Sequence, residues 1–150
     1  MVNILLCGNE KVFDGALTQL ISMTNRTKET IHVYIMTMEL TRLRADFTAI
    51  TEEQIAFLNH VIQQKNPDNR VEKLDVTELY EQEFGGCVNE TAYCTPYTLL
   101  RLLADKFTQI PDKLLYLDVD ILFNRDITLL YDMDIEGYEY AAARDHYGKY

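Results

Sequence analysis

Two aspartates separated by one residue, Asp118 and Asp120, follow directly on the run Lys113-Leu114-Leu115-Tyr116-Leu117. Positions i and i+2 of an extended chain lie on one side, so both carboxylates can converge on one point. Two such groups repel unless a proton or cation intervenes. Their oxygens suit Mg²⁺ or Mn²⁺. That ion could bridge the pyrophosphate of a nucleotide and neutralise the charge that builds on a leaving nucleoside diphosphate. A plain surface triplet of this kind would be two solvated carboxylates capping a turn, and Asp-x-Asp alone is weak. The apolar strand ahead of it sets this one apart, because open α/β sheets bind ligands beyond the carboxyl ends of their strands.

The charge balance bears on the same point. There are 24 Asp plus Glu against 14 Lys plus Arg, a net charge of −10. A general nucleic-acid surface needs a basic face, so nucleic acid is excluded as a partner. An acidic chain that handles phosphates meets repulsion at the site, and a divalent cation is the simplest remedy. Most of the carboxylates need no role beyond solubility. No apolar run approaches the roughly 18 residues that cross a bilayer, so no transmembrane segment is expected. Met1 to Cys7 lacks a basic region and a small-residue cleavage site, and reads as a first strand rather than a signal peptide. Cys7, Cys87 and Cys94 cannot all pair with one another and form no Cys-x-x-Cys element. They read as free thiols of a cytoplasmic chain, at most peripheral to a membrane.

The elements that would position the aspartates alternate between strands and helices. Val2–Cys7 is an apolar run broken only by Asn3, and Gly8-Asn9 closes it with a turn. Phe13, Leu17, Leu20, Ile21 and Thr24 recur at helical spacing, which predicts a helix over about 11–25. Ile31–Met36 is a second strand by its β-branched content. Thr51 is an N-cap with Gln54 at the capping-box position. Ile55, Leu58, Val61 and Ile62 line one face of the helix that follows, and Asn66-Pro67-Asp68-Asn69 stops it. Val71–Val76 is a third strand and Phe84-Gly85-Gly86 a loop. Pro96 opens a helix whose buried side is Leu99, Leu100, Leu102, Leu103 and Phe107. Lys113–Leu117 and Tyr138–Ala143 complete the strands, and 39–50 reads as a long loop. The alternation implies one domain over 1–150: a mostly parallel sheet with helices on both faces.

At this point the chain resembles the family 8 glycosyltransferases, the group that includes glycogenin and lipopolysaccharide galactosyltransferases. Four stretches carry the resemblance. Asn3 to Asn9 resembles the family's first strand and nucleotide-contacting turn, and Thr95 to Leu102 its helix with a donor-binding arginine. Lys113 to Asp120 resembles its strand with the Asp-x-Asp motif, and Tyr140 to Asp145 the strand after it. The resemblance implies a GT-A fold, the nucleotide-diphospho-sugar transferase type. Asp118 and Asp120 would hold Mn²⁺ or Mg²⁺, and Val119 would meet the nucleoside through its backbone. Arg101 would contact the donor sugar or its phosphates, and Cys7, Gly8 and Asn9 would line the base and ribose pocket. The implied reaction transfers a hexose from a UDP-sugar to an acceptor hydroxyl on a saccharide, lipid-linked or protein acceptor, with retention of configuration.

Each of these residues also has a plainer reading. Arg101 could pair with Asp105 at i+4. Gly8 could be a turn glycine only, and Tyr93 and Tyr97 could be packing residues. His32 and His60 read as structural or surface residues. The chain departs from the family pattern in two places. Asn9 stands where many members carry an acidic residue. The family's later His-x-x-Gly-x-x-Lys-Pro-Trp motif has no counterpart, since His146 is followed by Tyr147-Gly148-Lys149 and there is no tryptophan. The expectation is therefore a donor-binding part, C-terminally truncated, without the full metal shell or acceptor site. Two alternatives stand beside it. One is a haloacid-dehalogenase-like phosphatase, in which Asp118 is a nucleophile and Asp120 a general acid. The other is a truncated module that binds a nucleotide-sugar without turnover.

Overall fold

The computed structural model describes residues 1–91 and 95–143. Four strands, β1 (Val2–Cys7), β2 (Ile31–Thr37), β3 (Arg70–Asp75) and β4 (Leu115–Tyr116), run parallel in one sheet, in the spatial order β3-β2-β1-β4. Three α-helices lie between them, α1 (Phe13–Thr24), α2 (Glu52–Gln63) and α3 (Thr77–Phe84), and the single turn α4 (Thr128–Tyr131) follows the last strand. A 3₁₀ helix over Pro96–Lys106 leads into β4.

Both faces of the sheet are covered, which is why its central strands are near-continuous apolar runs. Ile4, Leu6, Val33, Ile35 and Val71 pack with Ala16 and Leu20 of α1 and with Leu58 and Ile62 of α2. The alternate residues Leu5, Tyr34, Met36 and Leu74 pack on the other side with Tyr80 of α3 and with Tyr97, Leu100 and Leu103. The register is continuous from Val2 opposite Ile31 to Cys7 opposite Met36. Asn3, the break in the first apolar run, is buried and donates from Nδ2 to the Tyr131 hydroxyl at 2.9 Å. It thereby ties α4 back to the first strand.

The cap and turn signals act as expected. Thr51 Oγ1 accepts from Gln54 N at 3.2 Å, and Gln54 Oε1 accepts from Thr51 N at 2.9 Å, a complete capping box. Asn69 is buried, donates to the Ile62 carbonyl at 3.0 Å and accepts from Ile31 N at 2.9 Å. One amide thus ends α2 and aligns the start of β2.

Four expectations need correction. The fourth strand pairs only over Ile4–Leu115 and Leu5–Tyr116, with one further bond from Leu117 N to the Leu5 carbonyl at 3.1 Å. It is shorter than 113–117 because the chain turns at Val119-Asp120. Tyr138–Ala143 forms no strand. Tyr138 and Tyr140 are 76% and 79% exposed, and no described strand lies beside them to complete a ladder. The helix after Pro96 is 3₁₀, with three residues per turn, so burial falls at Tyr97, Leu100 and Leu103 while Leu102 is exposed. On α1 the inward face holds Gln19 and Met23, and Ile21 points outward. Helices α3 and α4 were not anticipated; Asp75 and Asp126 start them by accepting from Thr77 N and Thr128 N, each at 3.0 Å.

The 39–50 segment is a folded loop, closed by Leu40 N donating to the Phe47 carbonyl at 2.8 Å. Arg42 grips the Glu81 carboxylate with two nitrogens, at 2.6 and 2.9 Å, and reaches the buried Glu90 carboxylate as well. Glu90 also accepts from Gly86 N at 3.1 Å. The Arg42 guanidinium holds the Glu90 carboxyl below its ordinary value of 4.5. A depressed folded-state value means this stabilisation is complete above 4.5 and is lost as the pH falls through the lower folded value. Glu90→Gln is therefore expected to lower the urea midpoint at neutral pH. The gap to the parent should narrow as the pH falls below 4.5, which midpoints measured across the acid range will check.

Candidate functional site

The β1–β4 pair ends in a cavity of about 300 Å³ at the carboxyl edge of the sheet. Three consecutive residues at the end of β1, Cys7, Gly8 and Asn9, line it, and Tyr116 and Asp118 line it from β4. Phe47 and Tyr97 form another wall, packed edge to face with centroids 5.5 Å apart. Lys11 and Arg44 stand at the margin, both bonded to Asp46.

Each residue at the end of β1 has a physical reason to be there. Gly8 N continues the ladder to the Met36 carbonyl at 3.0 Å. A Cβ on Gly8 would lie 2.2 Å from Val12 Cγ1, so only glycine lets the chain pass beneath Val12. Asn9 is 8% exposed, and both halves of its amide are used within the protein. Its Oδ1 accepts from Lys11 N at 3.2 Å, and its Nδ2 donates to the Asp46 carbonyl at 3.3 Å. Asn9 thus lines the cavity while fastening the 39–50 loop to the first strand. Burial pushes the Cys7 thiol up to about 12; Arg101 opposes that shift and Asp118 adds to it. The thiol is neutral at physiological pH.

Tyr116 and Asp118 act together. The Tyr116 hydroxyl donates to Asp118 Oδ1 at 2.8 Å. Burial first, and then this bond, hold the phenol well above its ordinary range, so it remains a donor. The Arg101 guanidinium lies over the Tyr116 ring, 4.8 Å from its centroid. Among the described residues Arg101 makes no ion pair with Asp105. In a 3₁₀ helix residues i and i+3 eclipse, so i+4 partners are not stacked. Arg101, Cys7, Tyr116 and Asp118 form one group at the cavity's edge.

The remaining sequence-derived residues are distributed around this group. Asp120 is exposed and lies in the turn after Asp118, off the cavity wall. The argument from strand alternation therefore holds only as far as Leu117. Val119 is half-buried against the core under α1. His32 bonds to Glu72 at 3.3 Å and to the Tyr34 hydroxyl at 3.1 Å, near the start of β2, and His60 is exposed on α2. Tyr93, Cys94, Arg144, Asp145 and His146 lie outside the described residues. Tyr97 donates to the Met38 carbonyl at 3.0 Å, so it is a packing residue as well as a wall. The sequence reading missed Phe47, Lys11, Arg44 and the role of Tyr116, because the loop that carries two of them has no periodicity.

The donor set can be tested against a divalent ion. Among the described residues neither Asp118 nor Asp120 has a salt-bridge partner, and both are exposed. No three described His, Cys, Asp or Glu residues gather closely enough to hold a metal by themselves. Both carboxylates have the oxygen chemistry for part of a shell that water and phosphate oxygens would complete, and of the two only Asp118 lines the cavity.

A parallel α/β sheet with a lined cleft at its carboxyl edge is the architecture of nucleotide-diphospho-sugar transferases of the GT-A type. The chain belongs to glycosyl transferase family 8, whose profile matches residues 3–150. Similar solved structures are those of LgtC and WbbM. An active-site mutant of LgtC, Q189E, superposes with a TM-score of 0.66 at 18% identity, covering 90% of this chain and 43% of that one. The galactosyltransferase LgtC in complex with donor and acceptor sugar analogs gives 0.61 at 19% identity, over 89% of this chain and 43% of that one. The bifunctional glycosyltransferase WbbM gives 0.64 at 14% identity, over 89% and 21%. This chain thus spans less than half the length of each. No curated protein matches it. With the family established, the phosphatase alternative falls away. Among the described residues no helix is long and apolar enough to cross a membrane.

Asn9 offers a direct check of this geometry. Asn9→Asp keeps the oxygen that accepts from Lys11 N and removes the donor to the Asp46 carbonyl. The expected loss is about 1 kcal/mol or more of stability, from the lost hydrogen bond and from a carboxylate set against the part-buried Asp46 carbonyl. Urea unfolding of the two proteins measures it.

Proposed function

We propose that the chain is the donor-binding part of a hexosyltransferase that uses a UDP-sugar and a divalent metal, and transfers the hexose to an acceptor hydroxyl with retention. The observation that carries this reading is the convergence of Cys7, Gly8, Asn9, Tyr116 and Asp118 on one cavity, with Arg101 at its edge. Donor binding is the share of that reaction we assign to these 150 residues as a single domain. The acceptor in this reading is a hydroxyl of a saccharide, a lipid-linked sugar or a protein, and a cytoplasmic setting suits the free thiols Cys7 and Cys87.

In this reading Cys7, Gly8 and Asn9 bound the base and ribose; Val119 lies off the cavity wall, with its carbonyl beside Gly15 of α1, and takes no part. Asp118 and Asp120 would hold Mn²⁺ or Mg²⁺. The bound ion would supply Lewis-acid stabilisation of the leaving diphosphate. Tyr116 holds the Asp118 carboxylate in one orientation and leaves its second oxygen open. Arg101 adds a fixed positive charge beside the phosphates, with its planar face already seated on Tyr116. The neutral Cys7 thiol adds no charge against an anionic donor.

Titration calorimetry with UDP tests the proposal. A Mn²⁺-dependent heat is expected for the parent chain and should be absent in Asp118→Asn and Asp120→Ala. A parent chain that binds UDP equally with and without Mn²⁺, or not at all, would overturn it.

A further inference from the structure

The Asp-x-Asp segment leaves the sheet almost as soon as it has joined it. After Leu117 N meets the Leu5 carbonyl, residues 118–123 have no strand beside them among the described residues. One face of α1 takes over. Gly15, Gln19 and Ser22 lie at i, i+4 and i+7, so they share one side of the helix. Gln19 Nε2 donates to the Asp118 carbonyl at 2.8 Å, across 99 positions of sequence. Ser22 Oγ accepts from Phe123 N at 3.1 Å and donates to the Gln19 carbonyl at 2.8 Å. A Cβ on Gly15 would sit 3.0 Å from the Val119 carbonyl oxygen and 3.2 Å from Val119 Cγ2. The glycine is what lets the helix come this close.

Gln19 is costly where it stands. It is fully buried among Ala16, Leu20, Met23 and Thr24 of the same helix, and its Oε1 has no hydrogen-bond partner among the described residues. A buried amide with one unmet group works against stability. The amide cannot be turned over, because Oε1 would then face the acceptor-only Asp118 carbonyl. What the position gains is a fixed backbone between the two carboxylates of the proposed metal and diphosphate site.

We infer that Gln19 is a positioning residue: with Gly15 and Ser22 it holds the Asp118–Phe123 backbone against α1 and so sets where the Asp118 and Asp120 carboxylates stand. The inference rests on the proposed donor site for its functional consequence, while its structural part stands alone. Gln19→Met keeps the length of the side chain and removes the donor. Ile62→Val, on α2 in the same core, serves as a control for general loss of stability.

Amide hydrogen exchange and calorimetry together decide the matter. In Gln19→Met, protection at Leu117 and Phe123 is expected to fall about tenfold or more relative to Ile4–Leu6, and Mn²⁺-dependent UDP affinity to fall about tenfold. Ile62→Val should lower protection across the sheet without singling out those two amides. Should Gln19→Met fail to fold, Gly15→Ala carries the same test, since it presses on the Val119 carbonyl from the same helix. Unchanged protection at Leu117 and Phe123, or a loss shared equally with β1, overturns the inference. A parent chain without Mn²⁺-dependent UDP binding sinks the proposed function instead, and the exchange measurement still settles the role of Gln19.

Discussion

A parallel strand is supported only while its neighbour runs beside it, and β4 has that support for two residues. Everything at the candidate site follows from how the chain is held once the ladder stops. The backbone groups of 118–123 must find partners elsewhere, and two of them, the Asp118 carbonyl and the Phe123 N–H, find them on a helix about a hundred residues earlier in the chain. The sheet places the end of β4 beside the end of β1; α1 keeps it there. The two cores are thus coupled through one short segment, since Leu117 and Val119 belong to the α1 side while Tyr116 and Asp118 face the opposite side.

That opposite side is built by a different logic. The wall of the cavity comes from a loop, 39–50, and from a 3₁₀ helix. Both are held by side chains that reach across: Asn9 to the Asp46 carbonyl, Tyr97 to the Met38 carbonyl, Arg42 to Glu81 and Glu90. Phe47 and Tyr97 meet where the two segments touch. Irregular chain of this kind suits a binding surface, because its shape is set by a few contacts and not by a repeating ladder.

These two logics explain what could be read in advance. The buried strands β1 and β2 and the capped helix α2 were legible because periodicity and capping act locally: Val2–Cys7, Ile31–Met36 and Thr51 with Gln54 needed no knowledge of the fold. The Asp-x-Asp pair was legible because it follows an apolar run. Gln19 was not, since its meaning lies in a carbonyl 99 residues away, and a glutamine on an apolar helix face looks like an interruption. Asn9 was read as a pocket residue. It lines the cavity, but its amide is spent on the loop. Leu102 was placed inside by an α-helical count, and the three-residue period of the 3₁₀ turn moves it out. The segment Tyr138–Ala143 has two strand-favouring tyrosines, but no partner strand among the described residues to pair with.

The thiol at the floor of the cavity has a further consequence. Nucleophilic attack on an alkylating agent and the first step of oxidation by peroxide both need the thiolate. With its proton retained up to about pH 12, Cys7 offers almost none of that form in a living cell. The sulfur therefore serves as a compact, polarisable surface.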